Sequence, residues 1–417
     1  MIALPRLAAR GIRTALERYR AGGADLPFGD PLPAHGVAME GYFWRITDPV
    51  DGRVVIALIG VNRDARGGHW ATLGLATHPA GTLAIAAAPD GWAAPDHLAV
   101  RSETEVGSFV ADADRLEVDL GPGARLRISI DEAAPWPHRA FGGSSVFQSV
   151  PALNQYWHPW LLGGVVHGDA EVGDERWSLD GATVYGEKNW GKEGFPDAWW
   201  WGQAQAFADP GACVAFAGGQ VHSGPLRTEV TAVVVRLPDG SVIRLGNPGT
   251  SPVTARVTDT TWDLHGRSLA GWEVDISGYA ALGDAHVLPV PLPSERRNTA
   301  GALEHLGATM SVTLRRRGVL VWEGRSDLAA LEHGGLARAE TELRRRGIPA
   351  SAGATHAAPR LPLPVEREQI AGPGTARPRF APSRLSGEWS RRRSDPGQPL
   401  RKRSIVVANQ TGVSNIG

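Results

Sequence analysis

The sequence is short of the residues that carry the commonest covalent and metal chemistry. Among 417 residues there is one cysteine, Cys213, and there are three methionines. A single cysteine excludes an intramolecular disulfide and supplies too few thiolates for a structural zinc site, which suits a reducing cytoplasm. Cys213 reads as a small buried hydrophobe. No window approaches the roughly 18 uninterrupted apolar residues that a membrane-spanning helix needs. His69, His78, His97, His138, His158 and His167 are scattered without metal-ligand spacing, so no metal is expected. There is neither a glycine-rich phosphate loop opening a helix nor a Gly-x-Ser-x-Gly elbow, so nucleotide-dependent and serine-hydrolase chemistry lack support and no cofactor is expected. With 43 basic against 44 acidic side chains, the overall charge asks for no nucleic acid, and no protein partner is indicated.

What charge there is falls unevenly. From Ser351 onward the chain holds 11 basic and 4 acidic groups with eight prolines, a composition expected for a disordered basic tail over 351–417. At the other end, Arg6, Arg10, Arg13, Glu17, Arg18 and Arg20 leave no room for a signal-peptide hydrophobic region. Residues 1–24 are expected to form an amphipathic helix ended by Gly22 and Gly23. Packing of that helix against the body ranks above peripheral contact with a membrane surface.

Between the two ends, from about Gly41 to Thr313, runs such as RVVIALIGV, RLRISI, CVAFAGGQ and EVTAVVVRL are separated by Gly, Pro, Asp and Asn. Short strands with frequent turns predict a mainly β protein with antiparallel neighbours. Pro238-Asp239-Gly240 is placed as a hairpin turn between Val230–Leu237 and Ser241–Leu245. The amount of strand fits two β-barrels, expected over 25–175 and 176–350 with the boundary in the polar stretch Gly168–Asp180. Asp327–Arg346, rich in Ala, Leu, Glu and Arg, predicts a terminal helix ending at Gly347, with Gly334 and Gly335 interrupting it.

Two features point to chemistry. Of 15 tryptophans, seven crowd between Trp157 and Trp201, enough rings to wall an apolar cavity. Trp157, Trp160, Trp190, Trp199 and Trp201 are the candidates for contact with a ligand, and on a strand Trp199 and Trp201 share a face that Trp200 does not. The second feature is Tyr185-Gly186-Glu187-Lys188-Asn189-Trp190-Gly191-Lys192. The chain has three lysines against forty arginines, and two of the three lie here. Lysine is not equivalent to arginine where a compact ammonium is wanted, so the segment reads as held to particular side chains. Glu187 is the candidate acid, with Tyr185, Lys188 and Asn189 beside it. The plainer reading of Glu187 is an ion pair with Lys188 or Lys192, although alternation sends Lys188 to the opposite face. Asn189 is expected to hold a turn through side-chain to backbone hydrogen bonds.

The stretch VYGEKNWGKEGFPDAWWWGQAQAF resembles the tocopherol cyclase family, in which a Tyr-x-Glu-Lys-Asn-Trp-Gly run leads to Phe-Pro and an aromatic strand. Pro33-Ala34-His35-Gly36 and Glu40-Gly41-Tyr42-Phe43 are similar, more loosely, to upstream motifs of that family, with Tyr42 in place of a Trp. More distantly, the segment is similar to an Asp-His-x-Trp-Gly element of bacterial carotenoid hydratases, with Glu187 at the acidic position. The resemblance implies two lipocalin-like antiparallel barrels and a cofactor-independent intramolecular lyase or isomerase. Its substrate would be a lipophilic prenylated aromatic, closed to a chromanol-type ring after protonation of a prenyl double bond. It also implies that His35, Glu40 and Tyr42 lie near the cavity, with Glu40 the second candidate acid. The plainer reading of Glu40 is an exposed carboxylate before a strand. A lipocalin-like carrier, an isoprenoid hydratase and a pericyclase remain alternatives on the same fold.

Overall fold

The computed structural model describes residues 3–24, 35–137, 142–349 and 354–357. Pro33, Ala34, His138 and most of the expected tail lie outside the described residues. The chain is mainly β, with all ladders antiparallel, in two sheets of 13 and 11 strands among the described residues. Both sheets follow one plan, in which the first long strand of each pairs with its last. Met39–Asp48 pairs with Thr183–Gly191 in the first sheet, and Trp199–Ala204 pairs with Val319–Gly334 in the second. Chain entry and exit therefore meet mid-sheet. The chain passes from one sheet to the other between Gly191 and Trp199, downstream of the polar stretch at 168–180. That stretch is a hairpin within the first sheet, formed by the second half of strand Val165–Val172 and the short strand Glu175–Ser178 paired to it.

Each sheet buries one face in its own core. In the first, Tyr42, Trp44, Ile46, Phe109, Trp160 and Val184 come together from strands far apart along the sheet, which must curve for them to meet. The second gathers Phe216, Trp262, Ile276, Met310 and Leu331 in the same way. Strand alternation sends the intervening residues to the opposite face. Phe43, Trp157, Tyr185, Trp201, Ala215 and Val234 form one cluster drawn from both sheets, and Ile56, Trp199, Leu288 and Val290 belong to another. The apolar faces between the sheets thus make a third layer. Arg45 clamps it: Nη1 donates to Thr47 Oγ1 at 2.7 Å and Gln203 Oε1 at 2.9 Å, while Nη2 donates to the carbonyls of Leu306 and Leu328. The hairpin expected at 238–240 is present, with Val242–Leu245 paired to Leu226–Arg236 and Gly240 at φ 83°.

The terminal segments differ from expectation in part. A helix spans Ala3–Ala21, and its end docks on the first sheet where Trp190 Nε1 donates to the Gly23 carbonyl at 2.8 Å. The terminal helix is only Leu336–Arg345; Asp327–Gly334 continues a 16-residue strand paired to Arg297–Arg316. Helix-forming composition is overridden there by ladder hydrogen bonds and a buried face. Gly334 marks a close approach rather than a break in a helix, since a Cβ on it would overlap the Trp199 ring. Within the stretch expected to be disordered, Thr355–His356 pairs with Arg297 and Asn298 as a short strand.

Candidate active site

Alternation along Thr183–Gly191 sorts the motif into two environments. Tyr185, Glu187 and Asn189 fall on one face and Lys188 and Trp190 on the other. Glu187 is buried and borders a cavity between the sheets, which holds about 1430 Å³ of space including its open mouth. Phe43, Leu58, Trp157 and Asn189 line it from the first sheet and its flank; Trp199, Trp201, Leu288, Val290, Glu304 and Glu332 line it from the second. Three donors converge on one oxygen of Glu187. Trp157 Nε1 at 2.7 Å, Trp201 Nε1 at 2.8 Å and Tyr185 OH at 2.6 Å all donate to Oε2. Burial raises the carboxyl pKa, and the three donors act against the rise by favouring the anion. Tyr185 is itself fully buried behind the cavity wall, joined to the site by this bond and by its ring beside Trp201, 6.5 Å between centroids. Among the described residues neither Lys188 nor Lys192 forms an ion pair with Glu187: Lys188 pairs with Glu40, and Lys192 lies 3.9 Å from Glu193.

Lys188 enters the other environment. Its Nζ donates to Glu40 Oε2 at 3.1 Å and lies 4.7 Å above the Tyr42 ring, inside the first sheet. Glu40 also accepts from Gly36 N at 2.8 Å and Tyr42 OH at 3.2 Å, and sits 2.8 Å from His35 Nδ1. It is therefore a buried strand residue and not an exposed carboxylate, and its partners outweigh burial to hold its pKa down to about 2. An acid so strongly ionised is a poor proton donor at neutral pH. His35, Glu40, Tyr42 and Lys188 form a charged cluster packed behind the cavity wall, of which only Tyr42 reaches the lining.

The remaining candidates divide the same way. Trp157, Trp199 and Trp201 line the cavity. Trp160 sits in the first sheet's core, 5.3 Å from Trp44, and Trp190 stacks on Tyr156 at 5.1 Å beneath the helix end. Neither lines the cavity. Asn189 lies within a strand rather than a turn, and its Oδ1 finds no hydrogen-bond partner among the described residues. It packs over Gly41, where a Cβ would collide with that oxygen.

Sequence reasoning passed over two cavity carboxyls. Glu304 and Glu332 are directly opposed across the ladder between Arg297–Arg316 and Val319–Gly334. Glu332 in turn is opposed to Trp201, and its Oε1 accepts from Trp199 Nε1. Burial, then each other's proximity, pushes Glu304 well above the ordinary carboxylate range, while burial with the charge of Glu187 nearby lifts Glu332 to about 7. A signal for them existed: Leu303-Glu304-His305 and Leu331-Glu332-His333 repeat one tripeptide.

Residues 123–335, which contain Glu187, Glu304 and Glu332, match the family described as tocopherol cyclase-like. A chloroplastic protein of Oryza sativa subsp. japonica, described as a probable tocopherol cyclase, is 38% identical over 71 residues, 16% of this chain and 15% of that relative. The matched stretch thus spans less than a sixth of the relative's length. Among solved structures, the kievitone hydratase of Nectria haematococca is similar at 10% identity over 72% of this chain and 89% of its own, with a TM-score of 0.45. CghA is similar at 13% identity over 75% and 97%, with a TM-score of 0.48.

Proposed function

The chain belongs to the tocopherol cyclase-like family, and from that premise and the cavity geometry we propose that it is an enzyme that closes a ring on a lipophilic prenylated phenol or hydroquinone by protonating a prenyl double bond. One observation carries the reading: a buried carboxyl, Glu187, faces an apolar, tryptophan-walled cavity and is fixed through a single oxygen by three donors. No hydrogen bond among the described residues reaches Oε1, so that oxygen is left for substrate.

The chemistry needs a proton donor, a shield for the tertiary cation that follows, and a dry site. Glu187 in its neutral form gives the proton from Oε1 to the less substituted alkene carbon, and the hydroxyl oxygen bonds to the cationic carbon. Burial keeps the acid neutral to a higher pH than in water. Trp157, Trp201 and Tyr185 stabilise the carboxylate as it forms, so they lower the cost of giving the proton up. General acid catalysis of this kind contributes ~10²- to 10⁴-fold. The ring faces of Trp157, Trp199 and Trp201 supply quadrupole attraction to the cation, on the order of 2 kcal/mol where water is excluded.

The test is turnover of a prenylated hydroquinone by the full chain and by Glu187→Gln. The expected result is loss of ring closure by at least ~10²-fold, with ligand binding, read by tryptophan fluorescence, retained. Binding without turnover by the unaltered protein would make it a carrier, and solvent oxygen in the product would make it a hydratase.

A further inference from the structure

Ring closure releases a proton as well as consuming one, and Glu187 cannot be placed to do both at once. The nucleophilic hydroxyl must lose its hydrogen when its oxygen bonds to the cation, and in an apolar cavity that hydrogen needs a defined acceptor. The second sheet supplies candidates. Glu304 and Glu332 face each other across one ladder, and Glu332 stands beside Trp201, whose indole donates to Glu187. All three acids border one cavity. Glu304 is almost wholly buried and neither of its carboxyl oxygens accepts from a donor among the described residues, so it is not satisfied as a structural element, while Glu332 keeps the bond from Trp199 Nε1.

We propose that Glu332, with Glu304 as its proton-sharing neighbour, is the catalytic base that accepts the hydroxyl proton. This rests on the ring-closing reading above. Two carboxyls this close cannot both ionise, so the pair holds one proton at neutral pH. The Trp199 indole N–H donates to Glu332 and favours its anion, whereas no donor among the described residues reaches Glu304, so Glu304 keeps the shared proton and Glu332 is the carboxylate. The balance closes over one turnover. Glu187 loses a proton to carbon, the hydroxyl O–H breaks as its oxygen bonds to the cationic carbon, and Glu332 gains that proton. Transfer from Glu332 back to Glu187 restores both groups, and the product is an isomer of the substrate.

The experiment separates the two proton transfers. The full chain is incubated in deuterated buffer with a prenylated hydroquinone, and separately with the same compound carrying a methyl ether on the reacting hydroxyl. The ether has no hydroxyl proton to lose, so its alkene can only be protonated and deprotonated, which leaves carbon-bound deuterium in recovered ether. Glu332→Gln should cut ring closure by ~10²-fold or more and leave exchange into the ether within a few-fold. Ring closure at the unaltered rate in Glu332→Gln overturns the assignment, and so does equal loss of closure and exchange. If Glu332→Gln does not fold, the unaltered protein decides: closure should fall below about pH 7 while exchange persists, and parallel profiles overturn the base. Should the unaltered protein neither close the hydroquinone nor label the ether, proton-initiated cyclisation itself falls, and the base with it.

Discussion

The Glu332 carboxyl makes a stability prediction that needs no substrate. Its pKa is raised from 4.5 to about 7 in the folded protein, so the folded state binds its proton more tightly than the unfolded chain does. A group raised in this way contributes stability that is fully present below its unfolded pKa and is lost as pH rises through the folded value. Between pH 5 and 8 the loss amounts to about 2–3 kcal/mol at most, since Glu332 borders an open cavity. For a folded body of this size that is about 3 °C in melting temperature. Buried histidines work against it, because His305, held by burial to about 4, destabilises the fold on the acid side. The comparison is therefore between the unaltered protein and Glu332→Gln, melted in parallel from pH 5 to 8. The advantage of the glutamate should shrink steadily with rising pH, helped by relief of Glu304 in the variant. A difference independent of pH would mean that Glu332 titrates as an ordinary surface acid and that the pair shares no proton.

Other consequences follow from the same geometry. Lys188→Met removes the ammonium from the buried Glu40 carboxylate, leaving it His35, Tyr42 and the Gly36 amide, and should cost about 3 kcal/mol in urea unfolding, whereas turnover per folded molecule should change little because Lys188 faces away from the cavity. Trp201→Phe keeps the ring wall but removes one donor to Glu187, so the pH at which activity falls on the alkaline side should move upward; an unmoved limb would count against Glu187 as the titrating acid. Gly334→Ala drives a methyl group into the Trp199 ring and should destabilise by about 1–3 kcal/mol, with weaker ligand quenching of fluorescence.

How much of this was legible beforehand depends on how local the signal is. Glu187 stood out because its neighbours in sequence are its neighbours on the strand, and alternation alone separated it from Lys188. The same alternation explains why Trp190 and Trp160 belong elsewhere: density of tryptophan marks a region, while the side of the sheet decides which rings reach a cavity. Glu304 and Glu332 were hidden because they meet Glu187 only through sheet packing between distant parts of the chain. The segment holding Glu332 also has helix-forming composition, and only its pairing with Arg297–Arg316 makes it a strand. Asn favours turns, but at Asn189 a ladder on both sides of the strand overrides that preference.

The most direct test of the central claim is mass spectrometry on the products formed from a prenylated hydroquinone in deuterated buffer. A ring-closed product with one carbon-bound deuteron, absent with Glu187→Gln, is the predicted result. Ring closure without deuterium on carbon, or labelling that survives in Glu187→Gln, would contradict protonation by this carboxyl.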